Sequence, residues 1–353
     1  MTTDPCISVI VPVYSGLEEL DRCLQSLLHN ESGHQTEIIV IDDCSPEASE
    51  AVEQVVQKYH AKYHRRAANA GPGVARNWGA EMAHGDILVF IDSDCVAPSD
   101  WLSRLTQPIR EGNCSATTSC YCGPVSPSWI TTFQNEDYLY RMPSAECDTY
   151  FVNSCNMAVK RDVFLECNGF PVQRVSEDMV LGIVLAENGT PARYLPEAGV
   201  QHNYYRTLIG YLKQRFSFAF NTIRSYVLND DLRSSQVPSK VRSFNPTRTV
   251  LGMFFNLAAL ASFILAGIAA VYDPDLVTAF LLSGIISLVL ETLAHAFFVL
   301  FLIKRQGLGR TVSYIFLLYM IDLAYVLGVL KGLTLGLHRA LRATTPSPIA
   351  NRG

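Results

Sequence analysis

The sequence predicts an α/β domain with a mostly parallel sheet, followed by an α-helical membrane region of about three segments. Short apolar, β-branched runs alternate with helix-like repeats in the first half of the chain. Residues 1–239 carry 29 acidic and 18 basic side chains, whereas residues 240–353 carry 4 and 10. Three long stretches of that basic part are almost free of charge, which is typical of membrane-spanning helices.

The apolar runs of the first half predict buried strands. They read "CISVIVPVY" (6–14), "EIIVIDD" (37–43) and "ILVFIDSD" (87–94). Between them, leucines over 17–28 and alanines and valines over 48–59 recur at helical spacing. The alternation of strand and helix predicts a mostly parallel sheet with helices on both faces.

Each of these strands ends in polar residues. Tyr14 closes the first run, Asp42 and Asp43 close the second, and Asp92 and Asp94 close the third. Sheets of this kind bind ligands beyond the carboxyl ends of their strands. The D-x-D spacing lets both carboxylates reach one ion, and hard oxygen ligands suit Mg²⁺ or Mn²⁺. A solvated acidic turn is the alternative interpretation.

The membrane segments are predicted at about 249–271, 276–303 and 311–330. The first has no charge over 23 residues, enough for a hydrocarbon core of about 30 Å. The basic sequence "KRQGLGR" after the second predicts a cytoplasmic loop. We therefore expect a multi-pass protein of the plasma (inner) membrane whose first domain faces the cytoplasm. Whether the third segment spans fully stays open, because a basic tail follows it.

Ionisable side chains inside these segments are costly and are often functional. Glu291, His295 and Asp322 are of this kind, and we expect them to pair or to line a path for a lipid headgroup. The ten cysteines all lie between Cys6 and Cys167 and form no C-x-x-C framework. They are expected to be reduced and mostly structural.

Four motifs follow one another in regular order: "SVIVPVYSG", "EIIVIDDCSPE", "NAGPGVARNWGAEMAHGDILVFIDSD" and "SEDMVLGIVLAENG". As a set they resemble family 2 glycosyltransferases with the GT-A nucleotide-sugar fold. The resemblance covers roughly residues 6–220. It implies an inverting hexosyltransferase that uses Mn²⁺ or Mg²⁺ and a nucleotide sugar, with UDP-sugars favoured over GDP-sugars. No nucleic-acid partner is expected, and a homo-oligomer is left open.

The resemblance also implies roles for single residues. Tyr14 would stack on the nucleotide base, and Asp43, with Asp42 beside it, would hydrogen-bond the base or ribose. Asp92 and Asp94 match the DxD motif, in which a divalent metal bridges protein and diphosphate. Asp178 matches the catalytic base. A hydroxyl acceptor needs such a base, and a separate carboxylate is required because a bound metal suppresses basicity.

Other matched positions complete the expected site. Arg76 would contact the nucleotide, Asn156 the donor sugar, and His202 the metal; Pro12 and Glu177 belong to the donor-binding set. Structural alternatives exist for several of these residues: a strand end (Tyr14), a turn acid (Asp42 or Asp43), a solvated arginine (Arg76), a helix-start acid (Asp178) and a structural histidine (His202). Asn69 and Gly71 are expected to shape a turn.

Three domains follow from these patterns. They are a cytoplasmic GT-A domain (1–208), an interfacial amphipathic helix with a linker (209–245), and the transmembrane helices with the basic tail (246–353). The membrane region suggests a membrane-lipid-linked acceptor, such as a polyprenyl phosphate, a lipid-linked glycan or a glycolipid. Two alternatives stay open: a subunit of a processive polysaccharide synthase and a non-catalytic, membrane-anchored nucleotide-binding subunit. The sequence "YLKQRFSFAF" lacks the Q-x-x-R-W pattern of processive members.

Overall fold

The computed structural model describes residues 6–30, 35–172, 177–228 and 247–344. These residues fall into two compact units, with the division between Tyr204 and Tyr205. The sequence predicts the first boundary slightly later, after residue 208. Most of the expected linker, residues 229–246, lies outside the described residues, as does the end of the basic tail.

The first unit alternates strands and helices. Its strands are β1 (Ile7–Val13), β2 (Thr36–Asp42), β3 (Lys62–Arg65), β4 (Ile87–Ile91), β5 (Cys95–Val96), β6 (Ala116–Thr118), β7 (Tyr121–Pro124), β8 (Cys147–Thr149), β9 (Asn156–Lys160), β10 (Ala192–Tyr194) and β11 (Val200–His202). Its helices are α1 (Leu17–Leu28), α2 (Ser49–Gln57), α3 (Pro72–Met82), α4 (Trp101–Arg110), α5 (Trp129–Arg141), α6 (Arg161–Glu166) and α7 (Glu177–Glu187).

Eight of these strands form one sheet in the order β3-β2-β1-β4-β9-β6-β10-β8. The neighbouring strands β3, β2, β1 and β4 are parallel, so their carboxyl ends meet at one edge. The predicted parallel α/β sheet is thus confirmed. Strand β9 runs antiparallel to both β4 and β6, which the sequence does not predict. Its first residue, Asn156, pairs with Ile91 and therefore lies at the same edge.

The sheet is covered on both faces, and every residue of β1 and β4 is buried. One core joins the sheet to α1, α2 and α4; it includes Val9, Val40, Val89, Leu20, Leu24, Val52 and Leu105. The other core joins the sheet to α3, α6 and α7; it includes Ile10, Ile39, Phe90, Ala75, Phe164 and Leu181. Two covered faces leave the strand ends as the place for polar chemistry.

A smaller sheet lies after the main strand ends, with the order β5-β11-β7. Strand β5 begins one residue after Asp94, and β11 ends at His202. The antiparallel pairing of β5 with β11 sets Cys95 opposite His202. This register brings two segments together that are more than 100 residues apart in the chain.

The second unit is helical. Its helices are α8 (Leu208–Leu228), α9 (Thr247–Tyr272), α10 (Val277–Ala294), α11 (Ala296–Gln306) and α12 (Leu308–Thr344). By length and composition, three segments of the described chain can cross a membrane: Thr249–Tyr272, Pro274–Ala294 and Leu308–Thr334. The prediction of about three apolar C-terminal helices is confirmed.

Two of these segments differ from the predicted bounds. The sequence predicts the second segment over 276–303, but the helix ends at Ala294, and the next residue, His295, has φ of −92° and ψ of 4°. A separate helix, α11, continues from Ala296. The third segment is longer than predicted, because α12 extends as one helix through the start of the basic tail. Apolar composition predicts a helix, but it does not predict where one residue departs from helical backbone angles.

The ionisable residues of the spans are buried and hydrogen-bonded. His295 Nε2 lies 2.7 Å from Asp322 Oδ2, which confirms that these two residues pair. Asn256 donates from Nδ2 to Glu291 Oε1 at 3.0 Å and to the Tyr319 carbonyl at 3.1 Å. These contacts join α9, α10 and α12. Buried polar groups are tolerated in such segments when they have partners of this kind.

Helix α8 packs along α12, where two glycines allow a close approach. A Cβ atom on Gly328 would lie 2.4 Å from the Phe216 carbonyl oxygen, and one on Gly332 would lie 2.8 Å from the side chain of Ile223. Lys331 Nζ lies over the rings of Phe216 and Phe220, at 5.5 and 5.2 Å from their centroids. Two aromatic residues of the predicted interfacial helix, Phe216 and Phe220, are therefore used for packing within the unit.

Candidate functional site

The carboxyl ends of the four parallel strands gather the predicted polar residues. Tyr14 follows β1 and is 51% exposed. Asp42 is the last residue of β2, and Asp43 follows it. Asp92 follows β4 directly. The sequence prediction that these residues share one edge is confirmed by the strand register.

Asp42 is buried and hydrogen-bonded within the domain. Its carboxylate accepts hydrogen bonds from Ser45 N at 2.7 Å, from the Tyr63 hydroxyl at 2.8 Å and from Arg65 NH1 at 2.5 Å. Burial raises the pKa of Asp42, but these hydrogen bonds outweigh it and hold the pKa below its ordinary value. The side chain fastens the turn after β2 to the edge strand β3.

Asp43 organises the approach to helix α3. Its carboxylate accepts from Ala70 N at 3.1 Å and from Gly71 N at 2.7 Å, and Asn69 Nδ2 donates to its carbonyl at 3.2 Å. Gly71 has φ of +99°, which favours glycine. Asn69 and Gly71 therefore shape this turn, as the sequence analysis expects. Arg66 Nε lies 3.7 Å from the Asp43 carboxylate, on the same side of the site.

Arg76 is buried in the site and joins two acidic segments. It is 2% exposed, and it donates from NH2 to Asp92 Oδ1 at 2.5 Å and from NH1 to Glu177 Oε1 at 3.3 Å. The guanidinium also lies over the ring of Phe170, 5.4 Å from its centroid. The alternative of a solvated arginine is wrong. Arg76 instead positions the start of α7 against the DxD segment.

Asp178 and Glu177 begin helix α7, where acidic side chains are favoured by the helix dipole. Asp178 Oδ1 accepts a hydrogen bond from Met179 N at 2.8 Å. Burial raises the pKa of Asp178 above its ordinary value. Burial and the neighbouring Asp178 raise the pKa of Glu177 to about 7, against the opposing effect of Arg76. Ser176, which precedes them, lies outside the described residues.

The raised pKa of Glu177 predicts a pH-dependent stability. A carboxyl group that titrates near 4.5 when unfolded and near 7 when folded binds more protons in the folded state, so its contribution to stability falls as pH rises between these values. Glu177→Gln removes this effect. As pH rises from 4.5 to 7, the free energy of unfolding of the variant should increase by about 3 kcal/mol relative to that of the parent protein.

Thermal unfolding of the full chain in detergent at pH 5 and pH 8 measures this difference. The exposed Glu81→Gln is the matched control, because it removes a carboxylate from the surface of α3. Between pH 5 and pH 8, the melting temperature of Glu177→Gln should fall less than that of the parent protein, whereas that of Glu81→Gln should fall as much as the parent's. Parallel pH curves for all three proteins would contradict the assignment.

Asp94 and His202 meet beyond the strand ends. His202 Nε2 lies 3.5 Å from Asp94 Oδ2, and Asn203 N donates to the Asp94 carbonyl at 3.1 Å. Burial and the neighbouring Asp92 raise the pKa of Asp94, although His202 acts in the opposite direction. Through the pairing of β5 with β11, the structure brings His202 to the DxD segment as the resemblance implies.

The surroundings of His202 contain residues that the sequence reasoning missed. The ring of Tyr121 stacks on His202 with centroids 4.3 Å apart, and Tyr204 contacts it edge-on at 4.7 Å. The Cys95 thiol lies against Asp94, with Sγ 3.7 Å from Oδ1. No local pattern marks these residues, because Tyr121 and Cys95 reach the histidine only through strand pairing.

Asn156 corrects one prediction. The sequence analysis places it against the donor sugar, but the side chain is fully buried. Its Oδ1 accepts from Trp101 Nε1 at 2.8 Å, and its Nδ2 donates to the carbonyls of Cys120 and Ala198 at 2.9 and 3.0 Å. The amide therefore joins α4 to the strand loops. Pro12 is likewise buried within β1, opposite Ile41.

The acidic residues and the histidine at this edge fit a divalent cation. Asp92 and Asp94 supply hard oxygen atoms, each from a partly exposed side chain, and His202 supplies a nitrogen. His202 Nδ1 is buried without a hydrogen-bond partner, which is compatible with an imidazole held by packing rather than by a second polar contact. Among the described residues, Asp94, Cys95 and His202 form a group whose ligand atoms all lie within 4.8 Å of one another.

The comparisons with known proteins agree with this geometry. The model of the family "Glycosyl transferase family 2" matches residues 8–167. A dolichol-phosphate mannosyltransferase from Pyrococcus furiosus is 32% identical over 116 residues, which are 33% of each chain. A putative teichuronic acid biosynthesis glycosyltransferase, TuaG, from Bacillus subtilis is 30% identical over 121 residues, which are 33% of this chain and 47% of that protein. The matches thus span between a third and a half of these relatives.

The fold also matches a solved structure. Mannosyltransferase PcManGT from Pyrobaculum calidifontis, in complex with GDP-Man and Mn²⁺, superimposes with a TM-score of 0.57 at 15% identity. The match covers 94% of this chain and 88% of that protein. At this identity the likeness concerns the fold. Residues 8–167 therefore match the model of glycosyl transferase family 2, and a domain of the GT-A fold is followed in the chain by three apolar C-terminal helices.

Proposed function

We propose that the protein transfers a sugar, with inversion, from a nucleotide sugar to a membrane-lipid-linked acceptor. The convergence of Asp92, Asp94 and His202 at the edge that also carries Tyr14 and Asp43 is the observation that carries the proposal. Family membership and the glycosyltransferase names of the relatives agree with it. The mannosyltransferase of similar fold was solved with GDP-Man and Mn²⁺, which supports a nucleotide-sugar donor and a divalent metal.

The donor would lie across the strand ends. Tyr14 offers an exposed ring for the nucleotide base, and Asp43 lies at the turn where the base or ribose would be held. Arg76 holds one oxygen of Asp92 and so limits how that carboxylate can turn. Asp94 and His202, with Asp92, would hold Mn²⁺ or Mg²⁺. Such an ion, when bound, supplies the positive charge that stabilises a leaving diphosphate.

Asp178 is the proposed base. As the acceptor oxygen forms its bond to the anomeric carbon, the bond from that carbon to the diphosphate breaks, and a hydroxyl acceptor passes its proton to the Asp178 carboxylate. Glu177 links Asp178 to the metal-binding segment through Arg76. One displacement inverts the anomeric configuration. A carboxylate whose pKa is raised by burial is a better base than an exposed one, because its proton affinity is higher.

The acceptor is proposed to be carried by a membrane lipid. Three segments long enough to cross a membrane follow the catalytic domain. The name of the Pyrococcus relative, a dolichol-phosphate mannosyltransferase, refers to a lipid phosphate. The basic residues Lys304, Arg305 and Arg310 between the second and third segments favour a cytoplasmic position for that loop. The domain would then work on the cytoplasmic face of the plasma (inner) membrane.

Nucleotide release by the detergent-purified protein tests the proposal. A panel of UDP- and GDP-sugars is offered with Mn²⁺ or Mg²⁺, with and without a membrane lipid extract. Metal-dependent release that the extract stimulates identifies the donor and supports a lipid acceptor. Nucleotide release that is accompanied by the formation of a long polymer would favour a processive synthase. Nucleotide binding without turnover for every donor would favour a non-catalytic binding subunit.

A further inference from the structure

Cys95 is a buried thiol placed beside the candidate metal ligands by backbone pairing. It lies on β5 directly opposite His202 on β11, so the two side chains project from the same face of the small sheet. Asp94 precedes it in the chain. The thiol, the imidazole and the carboxylate therefore converge because of strand register and chain order, and not through a single flexible side chain.

Two contacts within this group are close to the ligand–ligand distances around a single ion. Cys95 Sγ lies 3.7 Å from Asp94 Oδ1, and His202 Nε2 lies 3.5 Å from Asp94 Oδ2. Two ligands at zinc bond lengths of about 2.0–2.3 Å, held at the tetrahedral angle, are roughly 3.3–3.6 Å apart. All three ligand atoms lie within 4.8 Å of one another. Because the two short contacts use different oxygens of Asp94, its carboxylate must turn before one ion contacts all three side chains.

The ligand types select the ion. A thiolate and an imidazole favour Zn²⁺ and Co²⁺ over Mg²⁺ and Mn²⁺, which prefer oxygen ligands. A Cys-His-carboxylate set also leaves a fourth position open in a tetrahedral site. We propose that Asp94, Cys95 and His202 form a site for a single thiophilic divalent cation, of which Zn²⁺ is the typical example.

This site shares two residues with the proposed donor site. Asp94 and His202 cannot hold Zn²⁺ together with Cys95 and, at the same time, hold Mn²⁺ with Asp92. Zn²⁺ therefore excludes the ion that the donor requires. Binding of Zn²⁺ needs no oxidant or reductant; the Cys95 thiol releases one proton to solvent as its sulfur binds the ion. The exclusion of Mn²⁺ rests on the proposed function, whereas binding of the thiophilic ion does not.

Cobalt binding tests the site directly. Co²⁺ is titrated into the full-length protein in detergent, and the charge-transfer absorption of a cobalt–thiolate bond is recorded. The expected result is one equivalent of Co²⁺ per chain, displaced by Zn²⁺. The band should be absent in Cys95→Ser. In His202→Gln, the affinity for Co²⁺ should fall by at least about tenfold.

Two cysteines serve as matched controls. Cys155 is buried in contact with Cys95, and its Sγ is hydrogen-bonded to the Tyr121 hydroxyl and to Asn153 Oδ1, both at 2.9 Å. Cys122 is exposed on β7. Cys155→Ser and Cys122→Ser should keep the band. Cys95→Ala is made alongside Cys95→Ser, and thermal melting of each variant separates loss of the ligand from loss of the fold.

The outcomes separate this inference from the proposed function. A band that persists in folded Cys95→Ser, or is lost in Cys155→Ser instead, overturns the site, as does the lack of any band in the parent protein. If transfer activity exists, Zn²⁺ should inhibit it in competition with Mn²⁺, and Cys95→Ser should raise the inhibiting Zn²⁺ concentration by about tenfold or more. Cobalt binding without any transfer would retain the site and reject the function.

Discussion

Asp178→Asn is expected to slow sugar transfer by about 10²–10⁴-fold, because the variant keeps the shape of the side chain but loses its ability to accept a proton. Metal-dependent binding of the nucleotide sugar should change little, since the substitution leaves Asp92, Asp94 and His202 in place. Single-turnover transfer and equilibrium binding of the donor, measured on the same preparations, separate the two effects.

Asp162→Asn is the matched control for this experiment. Asp162 also lies in the first turn of a helix, α6, and its Oδ1 accepts a hydrogen bond from the next backbone amide, Val163 N, at 2.7 Å. Asp178 makes the same contact with Met179 N. If Asp178 serves only the helix start, both variants should behave alike. Equal and small effects of the two substitutions would therefore reject Asp178 as the base.

The pH profile adds an independent check on the base. Because burial raises the pKa of Asp178, the rate of transfer by the parent protein should fall with decreasing pH at values above the ordinary range of an aspartate. A base with its pKa raised is protonated, and thus inactive, at a higher pH. An acid limb at the ordinary pKa of an exposed carboxyl group would point to another residue.

Asp94→Asn should weaken the binding of Mn²⁺ by about 10–100-fold and lower transfer by a factor of about 10³. The substitution replaces a proposed oxygen ligand, Asp94 Oδ2, which lies 3.5 Å from His202 Nε2. Electron paramagnetic resonance of free Mn²⁺ measures binding without any need for turnover. The effect on transfer should exceed the effect on metal affinity, because the charge that stabilises the leaving diphosphate is also misplaced.

Asp100→Asn is the control for Asp94. It lies six residues further along the same segment and forms an exposed ion pair with Arg104 at 2.6 Å. Exposed pairs of this kind contribute little to stability. Mn²⁺ binding should be unchanged in this variant. A similar loss in both variants would mean that general charge, rather than coordination by Asp94, attracts the ion.

Much of the fold was predictable because its signals are local. Continuous β-branched runs at β1, β2 and β4 predict strands buried on both faces, and three long apolar stretches predict the C-terminal helices. The polar residue that ends each strand could be assigned to a common edge, since parallel strands present their carboxyl ends together. This reasoning assigned Tyr14, Asp43 and Asp92 to the edge at the carboxyl ends of the strands.

Contacts between distant segments were not predictable. The resemblance places Arg76 at the nucleotide, with a solvated arginine as the alternative, yet the side chain is buried between Asp92 and Glu177, which is 101 residues away. Asn156 matches a sugar-contacting position but bonds to Trp101 because β9 enters the sheet antiparallel. Residue type and spacing do not encode which segment will lie opposite.

The sequence by itself determined the classes of structure: a mostly parallel α/β domain with a polar edge, and apolar helices that follow it in the chain. These depend on periodicity and composition, which each segment carries alone. Only the tertiary structure decided the pairing of Cys95 with His202, the ion pairs of Arg76, and the end of a helix at Ala294. Each of these depends on strand register or on a buried partner, and a change of one residue in register would turn the side chains to the opposite face.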